Sequence, residues 1–167
     1  MPRLLALLSA FALCATAAAQ DADALAAQQA RIRAEFGEVP QRSIAAFRAA
    51  PPAIVFDARS PEEYAVSHLR GAINTPRIEQ ALAALDGHPR ATPVVVYCSV
   101  GWRAARLARE LRQRGYTQVA NLDGALFAWA NRGLPVYRDG QAVRDVHPGS
   151  LRAAPLLAPA LRATTPR

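Results

Sequence analysis

The chain has 167 residues, 51% of them apolar, with 13 Pro, 9 Gly, two Cys and a formal charge of +7. That length suits one domain, and the composition excludes both a disordered chain and a small disulfide-stapled scaffold. All 20 basic residues are Arg, a bias that either oxyanion recognition or GC-rich coding would produce.

Met1-Pro2-Arg3 is a short positive start before an apolar run over residues 4–19 that ends in Ala17-Ala18-Ala19. This pattern predicts a signal peptide cleaved after Ala19, and hence a periplasmic or secreted protein. The run is too short to be a comfortable transmembrane span. Cleavage would remove Cys14 and leave Cys98 as the one thiol. An odd cysteine in an oxidising compartment points to intermolecular pairing or a reactive thiol, against the plain alternative of a buried structural Cys.

Residues 20–39 are expected to form an N-terminal helical extension, with Leu25, Ile32 and Phe36 on one face. Ser43 is a candidate cap for a second helix carrying Ile44 and Phe47, stopped by Pro51-Pro52. Ala53–Phe56 reads as a buried strand. Ser60-Pro61-Glu62-Glu63 supplies an N-cap, a proline at the first helical position and a capping box. Gly71–Asn74 suits a brief strand, and Thr75-Pro76 precedes a helix with Ile78, Leu82 and Leu85. Pro93–Tyr97 is a continuous, β-branched run of the kind found in a fully buried central strand. It leads through Cys98–Arg103 into a helix ending at Gly115. Val119–Leu122 is a further strand, and Asp123-Gly124 opens a helix with Leu126, Phe127 and Trp129. Strands alternating with helices predict a domain over residues 40–138 of α/β class, with a central parallel sheet and helices on both faces. Residues 139–167 hold Pro and Arg without periodicity. They are expected to form a flexible or loosely docked basic tail, able at most to touch anionic surfaces weakly.

The chemistry gathers where the central strand ends. Ligands of open parallel sheets bind beyond the carboxyl ends of the strands. A thiol there meets the free amides and positive end of the next helix, which favour a thiolate. Gly101 lets the loop curl so that its amides form an anion cradle. Arg103 adds a permanent cation shaped for an oxyanion.

The ordered fragments Asp57-Ala58-Arg59, Glu63-Tyr64, His68–Ala72, Val94–Arg103, Asn121–Gly124 with Trp129, and Gly133–Val136 together resemble a single-domain rhodanese. The resemblance implies a three-layer rhodanese-like fold and a sulfurtransferase with no cofactor. It would move a sulfane sulfur from a small anionic donor such as thiosulfate to cyanide or a thiol. Cys98 would be the nucleophile and would carry the persulfide. The backbone of Ser99, Val100, Gly101, Trp102 and Arg103 would hold that persulfide, and Arg103 would engage the donor's oxygens. Only four residues separate Cys98 from Arg103, one fewer than in cysteine phosphatases and arsenate reductases. The tighter ring favours sulfur transfer. The sequence departs from the family pattern at Ser67, Arg70 and Ala125.

Asp57 is expected to support the site by hydrogen bonds, or else to cap a turn. Arg59 is expected to contact substrate, or else to pair with Glu62 or Glu63 at the surface. Trp102 either walls the pocket or meets an apolar partner, and His68 reads as a packed residue. One mature Cys and three scattered His do not suit a metal site. The Arg-rich face of helix 103–114 is read as solvated charge, not as a nucleic-acid surface. A non-catalytic rhodanese-like binding or sulfur-sensing module is the alternative to an enzyme.

Overall fold

The computed structural model describes residues 23–163, so the expected signal peptide at 1–19, with Cys14, lies outside the described residues. Helix α1 (23–35) is followed by strand β1 (Gln41–Arg42) and helix α2 (Ile44–Ala49). Then come β2 (Ile54–Asp57), α3 (Pro61–Val66), β3 (Ile73–Asn74) and α4 (Ile78–Ala84). Strand β4 (Val94–Tyr97), helix α5 (Trp102–Gln113), strand β5 (Val119–Leu122) and helix α6 (Ala125–Asn131) complete the α/β unit. The five strands form one parallel sheet in the order β1-β5-β4-β2-β3. The fold is therefore three-layered α/β, as the alternation of elements implied.

Strand alternation divides the core between the two faces. Every residue of β4 is buried. Val94 and Val96 pack with α1, α4 and α5 (Ile32, Leu85, Leu107, Leu111), while Val95 and Tyr97 pack with α2 and α6 (Phe47, Leu126, Phe127). A central strand covered on both sides must be apolar throughout, and this one is. Cys98 extends the Val94–Val96 side of the alternation. The local caps also follow the sequence: the Ser43 hydroxyl accepts from Ala46 N, and Ser60 with Glu63 closes a capping box on α3.

Gly124, at φ 81°, is the N-cap of α6 as expected, and Asp123 beside it takes a two-pronged bond from Arg33 of α1. One expectation is corrected. The C-terminal segment does not trail as a flexible tail. Val136–Arg138 (β6) and Gln141–Val143 (β7) form an antiparallel hairpin around Asp139 and Gly140, both at positive φ, a turn whose twist suits paired strands. Beyond it the chain folds back onto the domain. Val146 and Leu157 are fully buried, and the Val146 amide and carbonyl bond to Leu161 and Ala163. Isolated apolar anchors, without helical or strand periodicity, hold this strap down. Among the described residues no helix is long and apolar enough to cross a membrane.

Candidate active site

The loop Cys98–Gly101 links β4 to α5, beyond the carboxyl ends of β2 and β4. Its curl requires Gly101, at φ 122°, where a Cβ would stand 3.0 Å from Ile32 Cδ1 and 3.4 Å from Asn121 Nδ2. Any side chain there would meet both α1 and β5 from a backbone geometry that L residues rarely adopt. In this conformation the Gly101 amide donates to Cys98 Sγ at 3.1 Å. The first turn of α6 fixes the loop from behind: Leu126 N and Phe127 N donate to the carbonyls of Cys98 and Ser99, both at 3.0 Å. Free amides at a helix start thus anchor the loop's carbonyls.

Cys98 is a free thiol, 2% exposed. It forms part of the floor of a cavity of about 390 Å³, lined also by Ser60, Glu63, Ser99, Val100, Trp102 and Arg103. Cys98 is therefore shielded from bulk solvent while still bordering the cavity. Trp102, 37% exposed, forms a wall. Its indole N–H donates to Gln28 Oε1 at 3.1 Å, and its ring meets Phe36 edge-on with centroids 6.0 Å apart. The N-terminal extension thus braces the cavity.

Arg103 lines the cavity but is not free. Its Nη1 donates to Glu63 Oε2 at 2.6 Å, and its Nη2 donates to Glu63 Oε1 at 2.9 Å and to Ser99 Oγ at 3.1 Å. Ser99 in turn donates to Glu63 Oε1 at 3.1 Å, and Ser60 N donates to Glu63 Oε2 at 3.0 Å. A guanidinium has five N–H donors; its bonds to Glu63 and Ser99 occupy three of them, and the rest can face Cys98 and a ligand. Glu63 was legible as a helix cap but not as the partner of Arg103. That pairing arises because β2 and β4 are neighbours, which puts the start of α3 beside the start of α5. Burial pushes the Glu63 carboxyl up, but bonds from Arg103, Ser60 and Ser99 and the Arg103 charge outweigh it and hold it at about 2. Hydrogen bonding to Glu63 raises the Arg103 pKa against its burial, and the charges of Cys98 and Glu63 add to the rise.

Folding lowers the Glu63 pKa from its ordinary 4.5 to about 2, so its contribution is complete above 4.5 and is lost as the pH falls through 2. Melting curves of the wild type and Glu63→Gln across this acid range should show an extra fall in wild-type Tm. Parallel curves would mean that the pair adds nothing to stability.

Arg59 is not brought to the cavity, contrary to expectation, and makes no surface pair with Glu62 or Glu63. It is fully buried with Asp57 and Tyr97. Its Nε and Nη2 grip both Asp57 oxygens at 2.6–3.1 Å, Nη2 also donates to the Ser67 carbonyl, and the Tyr97 hydroxyl donates to Asp57 Oδ2 at 2.6 Å. Asp57 thus supports the loop indirectly, through the strand residue next to Cys98. His68 stacks on Tyr64 with ring centroids 3.9 Å apart, away from the cavity, as a packed residue. Among the described residues no group of three or more His, Cys, Asp or Glu is placed to hold a metal ion.

Comparison with known proteins puts this geometry in context. A family model described as a rhodanese-like domain matches residues 41–132, more than half of the chain. A protein named thiosulfate sulfurtransferase 16, chloroplastic, from Arabidopsis thaliana is 30% identical over 90 residues, which cover 47% of this chain and 75% of that protein. A sulfurtransferase of Allochromatium vinosum is 34% identical over 83 residues, covering 50% of this chain and 77% of its own length. The crystal structure of a thiosulfate sulfurtransferase from Pseudomonas aeruginosa superposes with a TM-score of 0.54 at 33% identity. That match covers 60% of this chain and 20% of the larger protein.

Proposed function

This chain belongs to the rhodanese-like family, and from that membership we propose that it is a sulfurtransferase in which Cys98 carries the moving sulfur as a persulfide. The Cys98 thiolate attacks the outer sulfur of thiosulfate. The donor's S–S bond breaks, its electron pair leaves with sulfite, and Cys98–S–S⁻ remains. Cyanide or a thiolate then attacks the terminal sulfur. The bond to Sγ breaks, its electron pair returns to Cys98, and thiocyanate or a new persulfide departs. Electrons balance within each half, so no outside oxidant or reductant enters.

The observation that carries this reading is the free Cys98 sulfur on the cavity floor, with the Gly101 amide donating to it and Arg103 beside it. An amide already aimed at Sγ can stabilise negative charge on sulfur in either half-reaction. Thiosulfate as donor is supported by the similarity to thiosulfate sulfurtransferases of Arabidopsis and Pseudomonas and by the remaining hydrogens of Arg103. Export after cleavage at Ala19 belongs to the same proposal and rests on the sequence of residues 1–19 alone.

Protein incubated with thiosulfate should gain one sulfur atom by intact mass spectrometry, lose it on addition of cyanide, and gain none as Cys98→Ala. A wild-type protein that never acquires the sulfur would leave only the non-catalytic module.

A further inference from the structure

The strap that follows the family-matched region reaches back over the catalytic loop. Val146 is fully buried and is pinned by backbone bonds to Leu161 and Ala163, and the residues just after it, His147, Gly149, Ser150 and Ala153, line the same cavity as Cys98. The contact is close: a Cβ built on Gly149 would lie 3.6 Å from Ser99 Oγ and 3.8 Å from Glu63 Oε1. His147 is the one ring donor that this segment brings to the cavity. Its Nδ1 accepts a hydrogen bond from the Gly149 amide at 3.0 Å. An amide N–H can only donate, so Nδ1 holds a lone pair and the ring proton is on Nε2.

The electrostatics of the cavity give such a proton a use. The Arg103 charge is balanced by Glu63 in a two-pronged pair. A doubly charged donor approaching a thiolate therefore meets a cavity with little net positive charge, and neutral N–H donors must supply the rest of its binding. Resting on the sulfurtransferase reading above, we propose that His147 is a substrate-binding residue of this site. Its Nε2–H donates to an oxygen of an anionic oxo-sulfur donor placed over Cys98 Sγ. The strap would then set donor specificity: donors with oxygens use His147, and oxygen-free donors such as inorganic polysulfide do not.

The test compares His147→Asn with wild type. Asn keeps an oxygen able to accept the Gly149 amide two residues on, in an Asx-turn, but is too short to present the distal N–H. With thiosulfate, KM should rise roughly tenfold, the scale of one lost hydrogen bond to a charged group. The rate at which cyanide discharges preformed persulfide should not change, nor should loading by polysulfide. His147→Gln, which extends an amide N–H further, should recover part of the thiosulfate KM and guards against a folding defect in the first variant. An unchanged KM, or an equal loss with both donors, overturns the assignment. Wild-type protein that takes sulfur onto Cys98 from neither donor overturns the sulfurtransferase reading instead.

Discussion

Replacing Asp57 with Ala is expected to lower the free energy of unfolding by about 3–5 kcal/mol, the usual cost of stranding one member of a buried ion pair. Asp57, Arg59 and Tyr97 are all fully buried, and the Asp57 carboxylate accepts from the Arg59 backbone, the Arg59 side chain and the Tyr97 hydroxyl. Its removal leaves a guanidinium without a counter-charge and a phenol without an acceptor, both in the interior. Urea denaturation is the measurement. The double variant Asp57→Leu/Arg59→Met should stand well above the single variant, because two apolar groups replace the pair without leaving a charge behind. If Asp57→Ala costs less than about 1 kcal/mol, the scale of an exposed pair, the buried-pair account of this corner is wrong.

Arg103→Ala should reduce kcat/KM for thiosulfate by about 2–4 kcal/mol of transition-state stabilisation. The guanidinium borders the cavity above Cys98 and retains hydrogens beyond those given to Glu63 and Ser99. Those hydrogens can follow the donor's oxygens as charge moves onto the departing sulfite. Arg103→Lys should recover only part of the loss, since one ammonium cannot bridge both Glu63 oxygens and also face a ligand. Steady-state kinetics with varied thiosulfate at fixed cyanide measures the effect. Urea curves on the same variants separate it from the instability of an unpaired Glu63. A wild-type rate in Arg103→Ala would remove this residue from the reaction.

How much of this was readable from the chain alone depended on whether a feature was local. Val94–Tyr97 announced itself as a central strand because burial on both faces demands continuous apolar residues. Ser60-Pro61-Glu62-Glu63 announced a helix start because its caps are satisfied within one turn. Cys98 was marked by its place between these two kinds of element. The Glu63–Arg103 pair was hidden because 40 residues separate its members and only the strand order makes them neighbours. Arg59 misled because Arg is rarely buried, although the carboxylate two residues before it was the clue. Asp139-Gly140 is a strong turn signal, but the strands it joins have only three residues each, too few to show alternation. The strap gave no pattern, since Val146, Leu156 and Leu157 anchor it singly.

The burial of Cys98 limits what can reach its thiol. A disulfide needs the two Cβ atoms within roughly 3.5–4.5 Å of each other. Cys98 is 2% exposed and shares its cavity with Trp102 and the strap, so a second folded copy cannot bring its own Cys98 that near. Covalent self-coupling is thus barred by shape, while small reagents keep their path to the sulfur. Size alone would then select which partners Cys98 meets.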